Sequence, residues 1–163
     1  MNISDLVLRM IDLSKSNLHD IDHFLKVYAY ARTITENEDI SQHDREITQA
    51  AAIVHDIACP LCRKKYGNAN GKLQETEGAP MAKKFLLEAG IPENDAMRIA
   101  FLVGHHHSPD KVDGIDYQIL LESDYLVNAG DSGYSRENIT GTMNKMFKTK
   151  TGIRLLKSIY GIE

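Results

Sequence analysis

The chain has 163 residues, enough for one compact domain that buries roughly 70% of its unfolded surface without disulfide staples. Its hydrophobic share is 42%, its charged share 26% and its formal net charge −4 at pH 7, which excludes a broad electrostatic grip on nucleic acid or an anionic membrane. No apolar run approaches the ~18 residues of a membrane span. The segment MNISDLVLRMIDLSKSN lacks a signal-peptide pattern, and Cys59 and Cys62 are too few for a secreted disulfide framework, so a cytoplasmic setting is expected.

Helical periodicity dominates, and no segment alternates convincingly as a strand. A first helix is predicted over about residues 4–16, with Ser4 as N-cap and Leu6, Met10 and Leu13 on one face. A second begins near Asp20. There His23, Val27, Tyr30 and Ile34 recur at helical spacing, so His23 faces the interior. Ser41 and Asp44 resemble a capping box for a third helix, whose buried stripe is Ile47, Ala51, Val54 and Ala58 and which Pro60 ends. The stretch RKKYGNANGK, residues 63–72, reads as loop. A helix over 74–89 stops at Gly90, and Pro92 opens the next, which runs to His105, His106 and His107. After a turn at 109–114, helices follow over 116–129, 135–147 and 151–160. The expectation is a single all-α domain over residues 1–163, a helical bundle of about seven to nine helices.

His55 and Asp56 are adjacent, and adjacent helical residues point about 100° apart. A long imidazole and a short carboxylate can still converge on an ion beside the helix. His23 sits on an apolar face, where an unpaired imidazole costs a kcal/mol or more (~1). Asp124, in QILLESDYLVNAG, shares its face with Leu120 and Val127, and a lone carboxylate directed inward needs a partner or a metal. Two imidazoles and two carboxylates suit a divalent transition metal ion, with Fe, Mn, Co, Ni and Zn all compatible.

The ordered set His23, His55-Asp56 and Asp124 resembles the H…HD…D signature of the HD superfamily of metal-dependent phosphohydrolases. HDIDHFLKVYAYARTI is similar to that family's first motif, with Lys26 standing where an arginine is common and Val27 retained. AAIVHDIA, ESDYLVNAG and the stretch from QETEGAPMAKKFLLEAGI to LVGHHHS resemble the remaining motifs of small single-domain members. The resemblance implies an HD-type helical fold and hydrolysis of a phosphate ester or anhydride at a metal held by His23, His55, Asp56 and Asp124. Members that bind two metals carry extra histidines between the HD pair and the last aspartate. This chain has none from residue 57 to 104, so one tightly held ion is expected. His106 matches the single histidine common at its position and is a candidate for phosphate binding, general acid catalysis or holding a weak second ion.

Candidate phosphate contacts are Lys64 and Lys65, in the basic loop after the HD pair, together with His105 and His19. The cluster Lys148, Lys150 and Arg154 has less reason to lie near the site. Glu75 and Glu77 are candidate supports for a ligand imidazole or bound water, Glu77 the more so because glycine follows it. His43 reads as surface. Cys59 and Cys62 lack further zinc ligands nearby and read as ordinary small residues.

The activity expected is hydrolysis of a small phosphorylated molecule, a nucleotide among the candidates, with Asp56 orienting a metal-activated water and His106 assisting. A non-catalytic metal- or nucleotide-sensing domain is the alternative. An HD-type di-iron oxygenase fits less well, because the intermediate histidines are missing. No membrane partner and no stable nucleic-acid binding are expected, and the sequence leaves the oligomeric state open.

Overall fold

Short polar side chains open most of the helices. In the computed structural model, which describes residues 1–163, α1 (Ile3–Ser14), α2 (Leu18–Asn37) and α3 (Gln42–Val54) begin on Asn2, Asn17 and Ser41. Each of these side chains accepts from a backbone N–H three residues on, satisfying one of the donors that a helix start leaves free. Asn2, rather than Ser4, is thus the first cap. Asn70 opens α5 (Gly71–Glu88), and α6 (Glu93–Val103) follows Pro92. A 3₁₀ turn (Pro109–Lys111) leads to α7 (Ile115–Asp131). Ser135 then caps α8 (Arg136–Met146) and Thr149 caps α9 (Lys150–Tyr160). There are no strands, and no helix is long and apolar enough to cross a membrane.

One expectation is corrected between the third and fifth helices. The third helix ends at Val54, a turn earlier than predicted, and α4 (Cys59–Tyr66) takes up the start of the expected loop, of which residues 67–70 remain between α4 and α5. Pro60 occupies the first turn of α4, where its missing N–H is no loss and its fixed φ suits a helix start. Proline therefore restarts the helix here. Gly67, at φ 73°, closes α4 in the left-handed conformation that glycine adopts without strain. The HD pair consequently sits in the tight turn between two helices.

The core gathers around α3 and α7. Helix α2 packs beside both, α6 and α1 cover α3, α5 lies on α6, and α9 closes over α7 and α2. Ala50, Ala51 and Ala52 are fully buried, and their small side chains let neighbouring helices approach closely. Helix α7 is buried from Asp116 to Asp124 on every side, as expected of a helix at the centre of a domain. Its polar side chains are therefore obliged to find partners. Arg98 of α6 forms paired hydrogen bonds to Asp116 (2.7 Å to each oxygen) and to Asp113 (2.8 Å to each). Glu122 accepts from the backbone N–H of Lys148 (2.6 Å) and Thr149 (3.0 Å), from the Gln118 amide (2.7 Å) and from the Thr149 hydroxyl. That buried carboxylate ties the α8–α9 link to the centre of the fold.

Candidate metal centre

Two helices and one turn bring the site together. His23 comes from the second turn of α2, His55 and Asp56 from the turn after α3, and Asp124 from α7. The His23 Nε2 lies 3.2 Å from the His55 Nε2 and 3.2 Å from Asp124 Oδ1. The His55 Nε2 is 3.5 Å from Asp124 Oδ1. Asp56 Oδ2 stands 3.5 Å from His23 Nε2 and 3.6 Å from His55 Nε2. His23, His55 and Asp124 are buried and Asp56 is partly exposed, which leaves one side open to a small molecule.

The donor set fits a metal ion. Atoms sharing one first-row ion at about 2.1 Å lie roughly 3.0–3.4 Å apart in octahedral or tetrahedral arrangements, close to the spacings observed. The tautomers fit as well. His55 Nδ1 is 2.9 Å from the Ala52 carbonyl, which can only accept, so Nδ1 carries the hydrogen and neutral His55 presents a lone pair at Nε2. That lone pair faces the His23 Nε2, an arrangement that needs a shared cation or a proton. Burial opposes charging His55, but the carboxylates of Asp56 and Asp124 outweigh it and raise its pKa to about 9. Burial likewise disfavours the charged carboxylates, yet His55 and His106 hold Asp56, and His23 and His55 hold Asp124, well below the ordinary range. Without a metal the site is an ion-pair cluster, and a cation would take over the role of its protons.

His106 joins from the turn after α6. Its Nδ1 lies 2.7 Å from the Val103 carbonyl, so the other nitrogen again carries the lone pair when the ring is neutral. That Nε2 is buried, has no hydrogen-bond partner in the protein and stands 3.5 Å from Asp56 Oδ1. Asp56, His106 and His107 offer ligand atoms within 4.8 Å of one another, as do His23, His55 and Asp56. Asp56 thus borders both groups.

The four candidate phosphate contacts do not gather here. His105 turns its ring against Phe101, with centroids 4.3 Å apart, and its Nδ1 donates to the Phe101 carbonyl (2.8 Å). Successive residues of a turn point in different directions, which sends His105 to a groove beside Pro80 and Met97. The His19 side chain is 81% exposed beside Asp20. Lys65 is bound by Glu77 (2.7 Å), and Lys64 projects from the exposed face of α4. Arg63 of the same basic run pairs with Asp20, one turn before His23.

The two glutamates exchange the weights that the sequence suggested. Glu77 is occupied by Lys65 and by the Tyr66 hydroxyl. Glu75 is buried and accepts from the His107 N–H (3.1 Å) and the Ser108 hydroxyl (2.8 Å). Tyr117, fully buried on α7, shares its one hydroxyl hydrogen between the carbonyls of Ser108 (2.7 Å) and His105. Together Glu75 and Tyr117 hold the turn that carries His106. The sequence contains no signal for Tyr117, because its partners are backbone carbonyls contributed by another element.

This geometry defines a helical protein with a buried His/Asp cluster that could hold a metal ion and is open on one side. The HD-domain family profile matches residues 20–133, most of the chain and all four residues of the centre. The chain belongs to the HD-domain family, within the superfamily of metal-dependent phosphohydrolases. The crystal structure of a "predicted HD superfamily hydrolase" from an uncultured Thermotogales bacterium superimposes with a TM-score of 0.66 at 21% identity, covering 98% of this chain and 83% of that one. That likeness speaks for the fold. No curated protein matches the chain.

Proposed function

We propose that this protein hydrolyses a small phosphorylated molecule, an ester or anhydride, at a divalent transition metal held by His23, His55, Asp56 and Asp124. The observation that carries the reading is the convergence of two Nε2 atoms 3.2 Å apart with two flanking carboxylates. A bound divalent ion supplies a water of lowered pKa and offsets charge on a phosphoryl oxygen. The chain's own groups do the rest. Asp56 stays ionised and, with one oxygen toward His23 and His55 and the other toward His106, is suited to accept a hydrogen bond from the attacking water. His106 offers an unpartnered Nε2, suited to take a proton or to ligate a weak second ion. Once protonated, the same atom donates to a phosphoryl oxygen or a leaving group. Glu75 and Tyr117 keep that ring in place.

The test is metal analysis of the purified protein and of Asp124→Ala, each paired with a phosphatase screen across Mn, Fe, Co, Ni and Zn. About one tightly held ion per chain, lost in the variant together with hydrolysis, is the expected result. Metal retained with no turnover across a broad panel would instead favour a sensing domain. No metal in either protein after reconstitution would overturn the assignment of all four ligands.

A further inference from the structure

Two cavities meet beside the centre. The inner one is bordered by His106 and Asp124 and continues past Tyr125, Asn128 and Tyr134. The outer one has a volume of about 600 Å³, within the range of small-molecule sites. Pro109, Leu121 and Met146 line both, so the outer space opens onto the approach to the metal ligands. A phosphoryl group and a compact leaving group fill only the inner part.

The chemistry of the outer cavity is specific. Val112, Leu121 and Met146 give it apolar walls. Gln118 reaches it, but its amide nitrogen is already held by the Met146 carbonyl (2.8 Å) and Glu122 (2.7 Å), so it has little donor capacity left for a ligand. Lys145 and Lys148 also line the cavity, against the single carboxylate of Asp110. Neither lysine takes part in an ion pair, whereas Lys26, Arg63 and Lys65 are each bound by a carboxylate. The backbone of Lys148 is held in place, since its N–H donates to the buried Glu122, and its side chain is exposed.

We propose that the outer cavity is the leaving-group subsite, and that the substrate is a phosphomonoester whose organic part is an apolar body bearing a second anionic group, held by Lys145 and Lys148. The inference rests on the phosphohydrolase reading above and deepens it. It also gives the second basic cluster of the sequence a place at the site, through Lys148 alone. Lys150 and Arg154 do not line the cavity.

The experiment uses the metal-reconstituted protein and two coumarin esters differing in one charge, 4-methylumbelliferyl phosphate and the phosphate ester of 7-hydroxycoumarin-4-acetic acid. The expected ratio of kcat/KM favours the carboxylate-bearing ester by roughly fivefold, the scale of solvent-facing ion pairs. It falls toward one in Lys145→Ala/Lys148→Ala, recovers in the double arginine variant and drops below one in Lys148→Glu. A ratio near one in the unmodified protein, or one that the double alanine variant leaves unchanged, overturns the proposal. Turnover of p-nitrophenyl phosphate but of neither coumarin ester also overturns it, because the cavity would then exclude the body it is meant to hold. Failure to hydrolyse any phosphate would be a failure of the phosphohydrolase reading. Fluorescence titration with the two free coumarins then decides the subsite by itself, with tighter binding of the acetate, lost in the double alanine variant, as the supporting result and equal binding as the refuting one.

Discussion

Removing the metal should make stability fall as pH rises through the neutral range, and His55 supplies the reason. Its pKa is raised from an ordinary 6.5 to about 9 in the folded, metal-free protein, with burial opposing the charge and Asp56 and Asp124 overcoming that opposition. Between those values the native state binds more protons than the unfolded chain. The contribution is fully present below pH 6.5 and is lost as pH rises toward 9. At about 1.4 kcal/mol per pH unit this amounts to at most on the order of 3 kcal/mol, and His55 is 1% exposed, so solvent screens little of it. For a chain of this size the loss corresponds to a fall in Tm of roughly 6–12 °C. The assay is thermal unfolding of chelator-treated protein at several pH values from 6.5 to 9, beside protein loaded with Mn²⁺. The loaded protein should show a much flatter profile, because the ion occupies the position of the proton. Calorimetric titration of the ion near pH 7.5 in buffers of different ionisation enthalpy should report release of about one proton per ion. A metal-free protein whose stability is flat or rising over this interval would refute the reasoning, as would a loaded protein with the same decline.

Tyr117→Phe leaves the Ser108 and His105 carbonyls without their buried donor. It should cost about 1–3 kcal/mol by denaturant unfolding, and lower turnover roughly tenfold through a misplaced His106 while metal content by elemental analysis is unchanged. Arg98→Ala strips the buried Asp116 of its guanidinium and should cost about 2–4 kcal/mol, most of it from Asp116 because Asp113 is the more exposed partner. A double-mutant cycle with Asp113→Ala should show the smaller coupling, and equal coupling at the two aspartates would contradict this account.

Local pattern carried most of the fold. Periodicity placed His23 and Asp124 on inward faces, and short polar residues marked the starts of α2 and α3 within a few residues of where the helices begin. These features depend on neighbours three or four residues away, which a sequence displays directly. The restart at Pro60 was not legible, because a proline two residues after an apparent helix end reads equally as a stop and as a first-turn residue. Packing decides between them, since Cys59 and Cys62 are both buried when α4 forms.

The types of the four proposed metal ligands were written in the chain, as residue kinds that an apolar setting tolerates only with a partner. The tertiary structure alone decided their spacing, their tautomers and the company they keep. His105, His106 and His107 are indistinguishable as a tripeptide, yet only His106 turns a buried, unpartnered nitrogen toward Asp56. Glu75 supports that turn and Glu77 does not, although the two are separated by a single residue. Lys65 is neutralised by a residue 12 positions away, while Lys148, which composition alone left remote, is delivered to a cavity by a buried glutamate 26 positions before it. The partner of a buried or charged group is chosen by which helices pack together. That choice is made by burial summed over the whole chain, so it cannot be read from any one segment.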